Sequence, residues 1–262
     1  LDHTCYLFLT KTTRERSRQQ SNWNTLCRKF LVPKEIQDRE TLERFMESVG
    51  QFESIVNDSG LVRLERLSTE EITGTEDGPG VIERYLTLSA DGSVMLQDMQ
   101  LNPDEMRIGD KRLCLHTLSD LDDLPGRVRT DGRYERLSTD RSDCRLSYAS
   151  PVGIMLPCDH IYNQWIFIDD SGENLARFEK TAKNMQSLSR YSRSNQINKE
   201  WLDEYLNVAH TNGLQSVRCH CNVIAWAESG DELRRVKNDV GSALALMECT
   251  PRHNTTDLPV LY

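Results

Sequence analysis

The chain reads as an α+β protein, with mixed or antiparallel sheets, helices packed on one face, and two subdomains. Three observations predict this. Short strand-like runs in the first half give way to the order strand, helix, helix, strand, helix in the second. Two capping-box spacings, Asp170 to Glu173 and Ser229 to Glu232, stand directly before helical apolar stripes. The stretch from Val217 to Trp226 alternates cleanly: Val217, Cys219, Cys221, Val223 and Ala225 share one face, and Arg218, His220, Asn222, Ile224 and Trp226 the other.

From the start, His3 to Thr10 reads as a strand, because Cys5, Leu7 and Leu9 alternate with Tyr6 and Phe8. Leu42, Phe45, Met46, Val49, Phe52, Ile55 and Val56 then recur at helical spacing, and Gly60 stands where that helix would end. Leu61 to Leu67 reads as a strand, and Asp77-Gly78-Pro79-Gly80 as a turn. Short strands are expected between Ser93 and Leu118, with Gly109-Asp110 reversing a hairpin that runs from Met106 to Thr117. Residues from about 119 to 145 are polar and mix six arginines with acids, which predicts a long connection.

Leu146 to Pro157 and Ile161 to Asp169 read as strands. A helix follows on Leu175, Phe178, Ala182, Met185 and Leu188. A second, from about Lys199, uses Trp201, Leu202, Tyr205, Leu206 and Ala209 and closes at Gly213. The last helix carries Leu233, Val236, Val240, Ala243, Leu244 and Met247. The expected division is residues 1–125, containing a basic segment at 11–34, and 126–262. The second part would hold strands over 146–169, helices over 172–190 and 199–212, a strand over 214–226 and a helix over 230–247.

The 262 residues are enough for one large or two ordinary cores, and 37% hydrophobic against 28% charged residues is globular composition. The net charge of -9 argues against a protein whose whole surface grips nucleic acid. No stretch reaches the roughly 18 apolar residues of a membrane span. Eight cysteines are too widely spaced for a small stapled scaffold. They read as reduced thiols acting as small hydrophobes, with a disulfide framework as the alternative. The chain opens within a strand-like run and its first methionine is Met46, so it reads as a fragment.

Chemistry is sparse. A P-loop needs Gly-Lys, so that amides cradle phosphates and the lysine reaches the outer ones. None of the eight lysines follows a glycine. Trp165-Ile166-Phe167-Ile168-Asp169-Asp170 imitates the magnesium-holding strand of such ATPases, but reads more simply as a strand running into a helix cap. Cys158/His160 and Cys219/Cys221 are pairs two apart that would project to one face of a strand. On neighbouring strands they would make a tetrahedral zinc site, although structural zinc ligands are usually spaced more widely. No Gly-x-Ser-x-Gly or His-Glu-x-x-His is present, and Asp120/Asp123 and Asp203/Glu204 read as solvated surface carboxylates. Between Lys11 and Lys34 stand Arg14, Arg16, Arg18, Arg28 and Lys29 against Glu15 alone, with Trp23 and Phe30 among them. This segment suits docking to an acidic neighbour, with nucleic-acid or anionic-lipid contact as the second reading.

Four strings carry a resemblance: Leu-Asp-His-Thr-Cys-Tyr-Leu-Phe-Leu-Thr-Lys-Thr-Thr at 1–13, Arg-Tyr-Glu-Arg-Leu-Ser-Thr-Asp-Arg-Ser-Asp at 133–143, Ser-Arg-Tyr-Ser-Arg-Ser-Asn-Gln-Ile-Asn-Lys-Glu-Trp at 189–201, and Met-Glu-Cys-Thr-Pro-Arg-His-Asn at 247–254. Along its length the chain resembles the N-terminal region of TraG-type ATPases of conjugative transposons, within the traffic ATPases of type IV secretion. The resemblance implies a role in conjugative DNA transfer and a place at the cytoplasmic face of the bacterial inner membrane. It implies as partners the inner-membrane components of the channel, neighbouring copies, and the protein's own motor domain C-terminal to this region, where ATP and magnesium would bind. It assigns this region no catalytic, cofactor-binding or metal-binding residue. A nucleic-acid-binding module using segment 11–34 and a stand-alone zinc enzyme are the alternatives.

Overall fold

A computed structural model describes residues 3–11, 39–89, 97–102, 105–118, 123–126, 128, 132–133, 138–143 and 145–254. The chain divides into two compact units, Leu1–Val94 and Met95–Tyr262. The boundary therefore lies some thirty residues before the expected division at 125/126. The hairpin that the sequence assigned to the first subdomain hydrogen-bonds into the sheet of the second, and a shared sheet cannot be cut by a domain boundary.

In the first unit, α1 (Arg39–Asp58) is the helix expected from the apolar spacing, and Gly60 ends it at φ +68°. Its stripe is not a buried one: Leu42, Met46, Phe52 and Ile55 are exposed. Residues 61–67 form no strand, contrary to expectation. The Asn57 side chain accepts from Leu64 N at 2.6 Å and donates to Leu64 O at 3.3 Å, doing locally what a neighbouring strand would do. Arg66 adds a 2.7 Å ion pair to Glu53. Then come α2 (Thr69–Thr73), opened by a reciprocal Ser68/Glu71 capping box, and α3 (Val81–Thr87). The turn expected at 77–80 lies two residues earlier, with Thr75 bridged to Gly78. A Cβ at Gly80 would stand 2.4 Å from Ile72 O and 2.2 Å from Gly74 N, so only glycine lets the two backbones meet there. Residues 3–11 also form no strand and are exposed throughout. Alternation alone does not make a strand without a partner to pair with.

The second unit is built on an antiparallel sheet. Its strands are β1 (Met99–Leu101), β2 (Met106–Ile108), β3 (Lys111–Leu118), β6 (His160–Ile168), β7 (Val217–Ala227) and β8 (Arg252–Asn254), in the order β1-β2-β3-β7-β6 with β8 also on β3. A separate ribbon pairs β4 (Gly132–Arg133) with β5 (Arg145–Leu146). The expected hairpin is the β2–β3 turn, with Gly109 at φ +61°. Residues 146–157 are not a strand. After β5 they form α4 (Ser150–Met155), because Pro151 cannot donate to a ladder but is well placed in a first helical turn.

β6 is followed by α5 (Ser171–Leu188) and α6 (Arg193–Asn212), and β7 by α7 (Gly230–Leu246). Among the described residues α7 covers the sheet and α4 packs on α7; α5 and α6 pack chiefly on one another. On the covered face Cys114, Leu118, Cys221, Val223, Ala225 and Ala227 meet Leu233, Val236, Val240, Ala243 and Leu244 of α7 and Val152 and Leu156 from α4 and its end. Of the face read as Val217, Cys219, Cys221, Val223 and Ala225, the last three line this core while Val217 and Cys219 are exposed, and on the other face Asn222 and Ile224 are buried as well. The molecule is α+β, an antiparallel sheet with helices packed on it.

Helix α7 begins as its capping spacing predicts: the Ser229 hydroxyl accepts from Glu232 N at 3.2 Å. Ser229→Ala is expected to cost about 1 kcal/mol, since it orphans a first-turn amide. Urea unfolding would check this, and a Ser229→Asp variant should retain most of the lost stability.

Candidate functional site

The end of the β6–β7 ribbon holds the segment that imitates a magnesium-binding strand. β3 pairs with β7 from Cys221 to Ala227, so Val217 to His220 extend past it and pair with β6 alone among the described residues. The side chains at this end are largely solvent-exposed: Trp165, Ile166, Phe167, Ile168 and Val217 are all about half exposed or more. The two acids that follow are engaged. Asp169 accepts from Arg218 Nε at 2.7 Å and from its terminal nitrogen at 3.2 Å, and Arg218 lies 5.3 Å over the Phe167 ring. Asp170 accepts from Glu173 N at 2.9 Å as the cap of α5. Each acid has a structural task at this end, which favours the strand-to-cap reading.

The two cysteine/histidine pairs do not converge. His160 stands opposite Ala225, whereas Cys221 stands opposite Gln164 and Cys219 opposite Ile166. Four residues of strand, about 13 Å, thus separate the level of His160 from that of Cys221. The His160 ring nitrogen is 2.9 Å from Cys158 O. Among the described residues no three His, Cys, Asp or Glu side chains are grouped to hold a metal ion. The zinc reading loses the geometry it needs.

Sequence spacing did not disclose the cluster of thiols and phenols around Cys221. Tyr148 Oη is 2.8 Å from Cys249 Sγ, across 101 residues of sequence. The buried Tyr162 hydroxyl lies beside the Cys221 thiol, close enough to affect its ionisation but outside hydrogen-bond geometry. Burial raises the pKa of Cys221, Cys249, Cys158, Tyr148 and Tyr162, and pushes Cys114 up to about 12. A thiol held protonated is a poor nucleophile and a poor metal ligand, and burial holds these thiols toward that form. The six described cysteines are all free thiols.

Asp123, expected on a solvated surface, is buried instead. It accepts from Arg252 Nε at 3.1 Å and its carbonyl from Thr250 N at 2.9 Å, fastening the segment that becomes β8. Nothing in local spacing marks it, because its partner is 129 residues away. Asp203 pairs with Lys199 at 2.7 Å on α6. Of the basic segment, Lys11 is exposed, while Arg14, Arg16, Arg18, Arg28, Lys29 and Lys34 lie outside the described residues. No described helix is long and apolar enough to cross a membrane. Compared with protein-family models and with curated proteins, the chain matches none of them.

Proposed function

We propose that this chain is a docking and assembly module of a conjugation ATPase, without a catalytic site of its own, serving conjugative DNA transfer at a type IV secretion channel. The observation that carries the reading is the apolar end of the β6–β7 ribbon. Ile166, Ile168 and Val217 form an exposed apolar patch on one face of the paired strands, with Trp165 and Phe167 exposed on the opposite face, and such patches mark protein contact surfaces. The partners would be inner-membrane components of the channel and neighbouring copies of the ATPase, at the cytoplasmic face of the membrane. The parent protein would carry the ATP- and magnesium-binding motor beyond this region. The four resemblance strings support the assignment.

A photo-cross-linking residue in place of Ile166, in cells carrying the conjugation machinery, should capture a channel component or a second copy of the ATPase. Ile168→Ser with Val217→Ser should abolish the capture and lower DNA transfer by at least about tenfold, the effect of losing a small apolar hot spot. Capture of neither partner, together with unchanged transfer in the double variant, would sink the docking reading. A reading frame continuing past Tyr262 without Gly-Lys-Ser or Gly-Lys-Thr would sink the family assignment.

A further inference from the structure

Five basic residues and no acid occupy positions 180–199: Lys180, Lys183, Arg190, Arg193 and Lys199, in a chain with 32 basic against 41 acidic residues. The structure gathers them at one place. α5 and α6 are antiparallel, because a turn of only four residues joins them and they meet again far from it, at the Phe178–Tyr205 ring contact of 5.6 Å and the Glu179–His210 pair of 3.2 Å. The turn at 189–192 is therefore the far tip of a helical hairpin whose base joins the β6–β7 ribbon. Lys180, the most distant of the basic residues on α5, is eight residues from the end of the helix, about 12 Å.

Lys199 is paired with Asp203. Lys180, Lys183, Arg190 and Arg193 are exposed and in no ion pair among the described residues. Arg193 opens α6, at the end where the helix dipole disfavours a cation, so its charge does not serve the helix. Apolar side chains stand between these cations: Tyr191 is 85% exposed, Leu188 49% and Ile197 37%. A single-stranded nucleic acid is usually bound along a groove lined by aromatic rings. Here the cations sit on a convex tip, interleaved with an amphipathic ring and two aliphatic chains. That combination matches the boundary between headgroups and acyl chains, where Lys and Arg meet lipid phosphates and Tyr and Leu insert beside them.

We propose that the tip of the α5–α6 hairpin, carrying Lys183, Arg190, Tyr191 and Arg193, binds the surface of an anionic phospholipid bilayer. The inference is independent of the protein partners proposed above, since the cross-linking test concerns the opposite end of the hairpin. The test is co-sedimentation of the chain with phosphatidylcholine vesicles, with and without phosphatidylglycerol. Binding is expected only with phosphatidylglycerol, and should fall steeply as salt is raised.

Arg190→Gln with Arg193→Gln should weaken partitioning by roughly 30-fold, taking each charge near the surface at its usual worth. Both side chains are exposed, so the circular dichroism spectrum should be unchanged. Tyr191→Ser, which leaves every charge in place, should weaken binding severalfold. Absence of binding at low salt, equal binding to neutral vesicles, or full retention in the double variant would each overturn the proposal. So would failure to bind vesicles combined with arginine-dependent retardation of a single-stranded oligonucleotide, which would make the tip a nucleic-acid contact.

Discussion

Leu244→Ala is expected to destabilise the second unit by about 3 kcal/mol, within the usual range for a buried leucine. Leu244 is fully buried on α7, and it packs into the layer formed by Cys221, Val223 and Ala225 of β7. Truncation removes apolar surface from the core and leaves a cavity that the rigid sheet cannot fill by collapse. The thermal midpoint should fall by about 6–12 °C for a unit of this size. Leu246 provides the internal comparison. It lies two residues on in the same helix but is 58% exposed, so Leu246→Ala should change stability by less than about 0.5 kcal/mol. Equal effects from the two substitutions would mean that α7 does not present the face described here.

The second large effect is alkaline. Burial pushes the Cys114 thiol from 9.0 to about 12, opposed in part by the charge of Lys237. Below pH 9 both folded and unfolded chains keep this proton, and the group contributes its stability in full. Between pH 9 and 12 the unfolded chain releases the proton while the folded one holds it, so stability falls as pH rises. The loss is about 1.4 kcal/mol per pH unit and approaches 4 kcal/mol near the folded-state value. Cys221, Cys249, Tyr148 and Tyr162 are shifted in the same direction by burial and steepen the fall. Cys114→Ala should lower stability at pH 8 by removing buried surface, yet flatten the decline above pH 9. Urea titrations at intervals from pH 8 to 11 would read both effects. An unchanged slope in the variant would mean that the thiol is not held protonated in the fold.

What was legible in the sequence were features whose cause is local. The α1 stripe, the β2–β3 reversal at Gly109, the caps at Asp170 and Ser229, and the alternation along β7 all depend on residues within a few positions of each other. The readings that failed concern strands without a ladder. Residues 3–10 and 61–67 have strand-like side chains but form no strand, and residues 146–157 are apolar enough for a strand but start a helix at Ser150, with Pro151 in its first turn. At the site, the spacing of Cys158/His160 and Cys219/Cys221 suggested a metal centre. The β6–β7 register then held the pairs at different levels of the sheet.

By itself, then, the sequence determined the α+β class, the C-terminal ends of the later helices, the alternation along β7 and the lack of a Gly-Lys phosphate loop. Each of these is set by periodicity or by a motif that must be contiguous to work. Only the tertiary structure decided that Asp123 is buried against Arg252, that Tyr148 meets Cys249, and that the hairpin of 106–118 belongs to the second unit. These depend on contacts across a hundred residues or more, where burial and strand register, not local spacing, set which side chains meet.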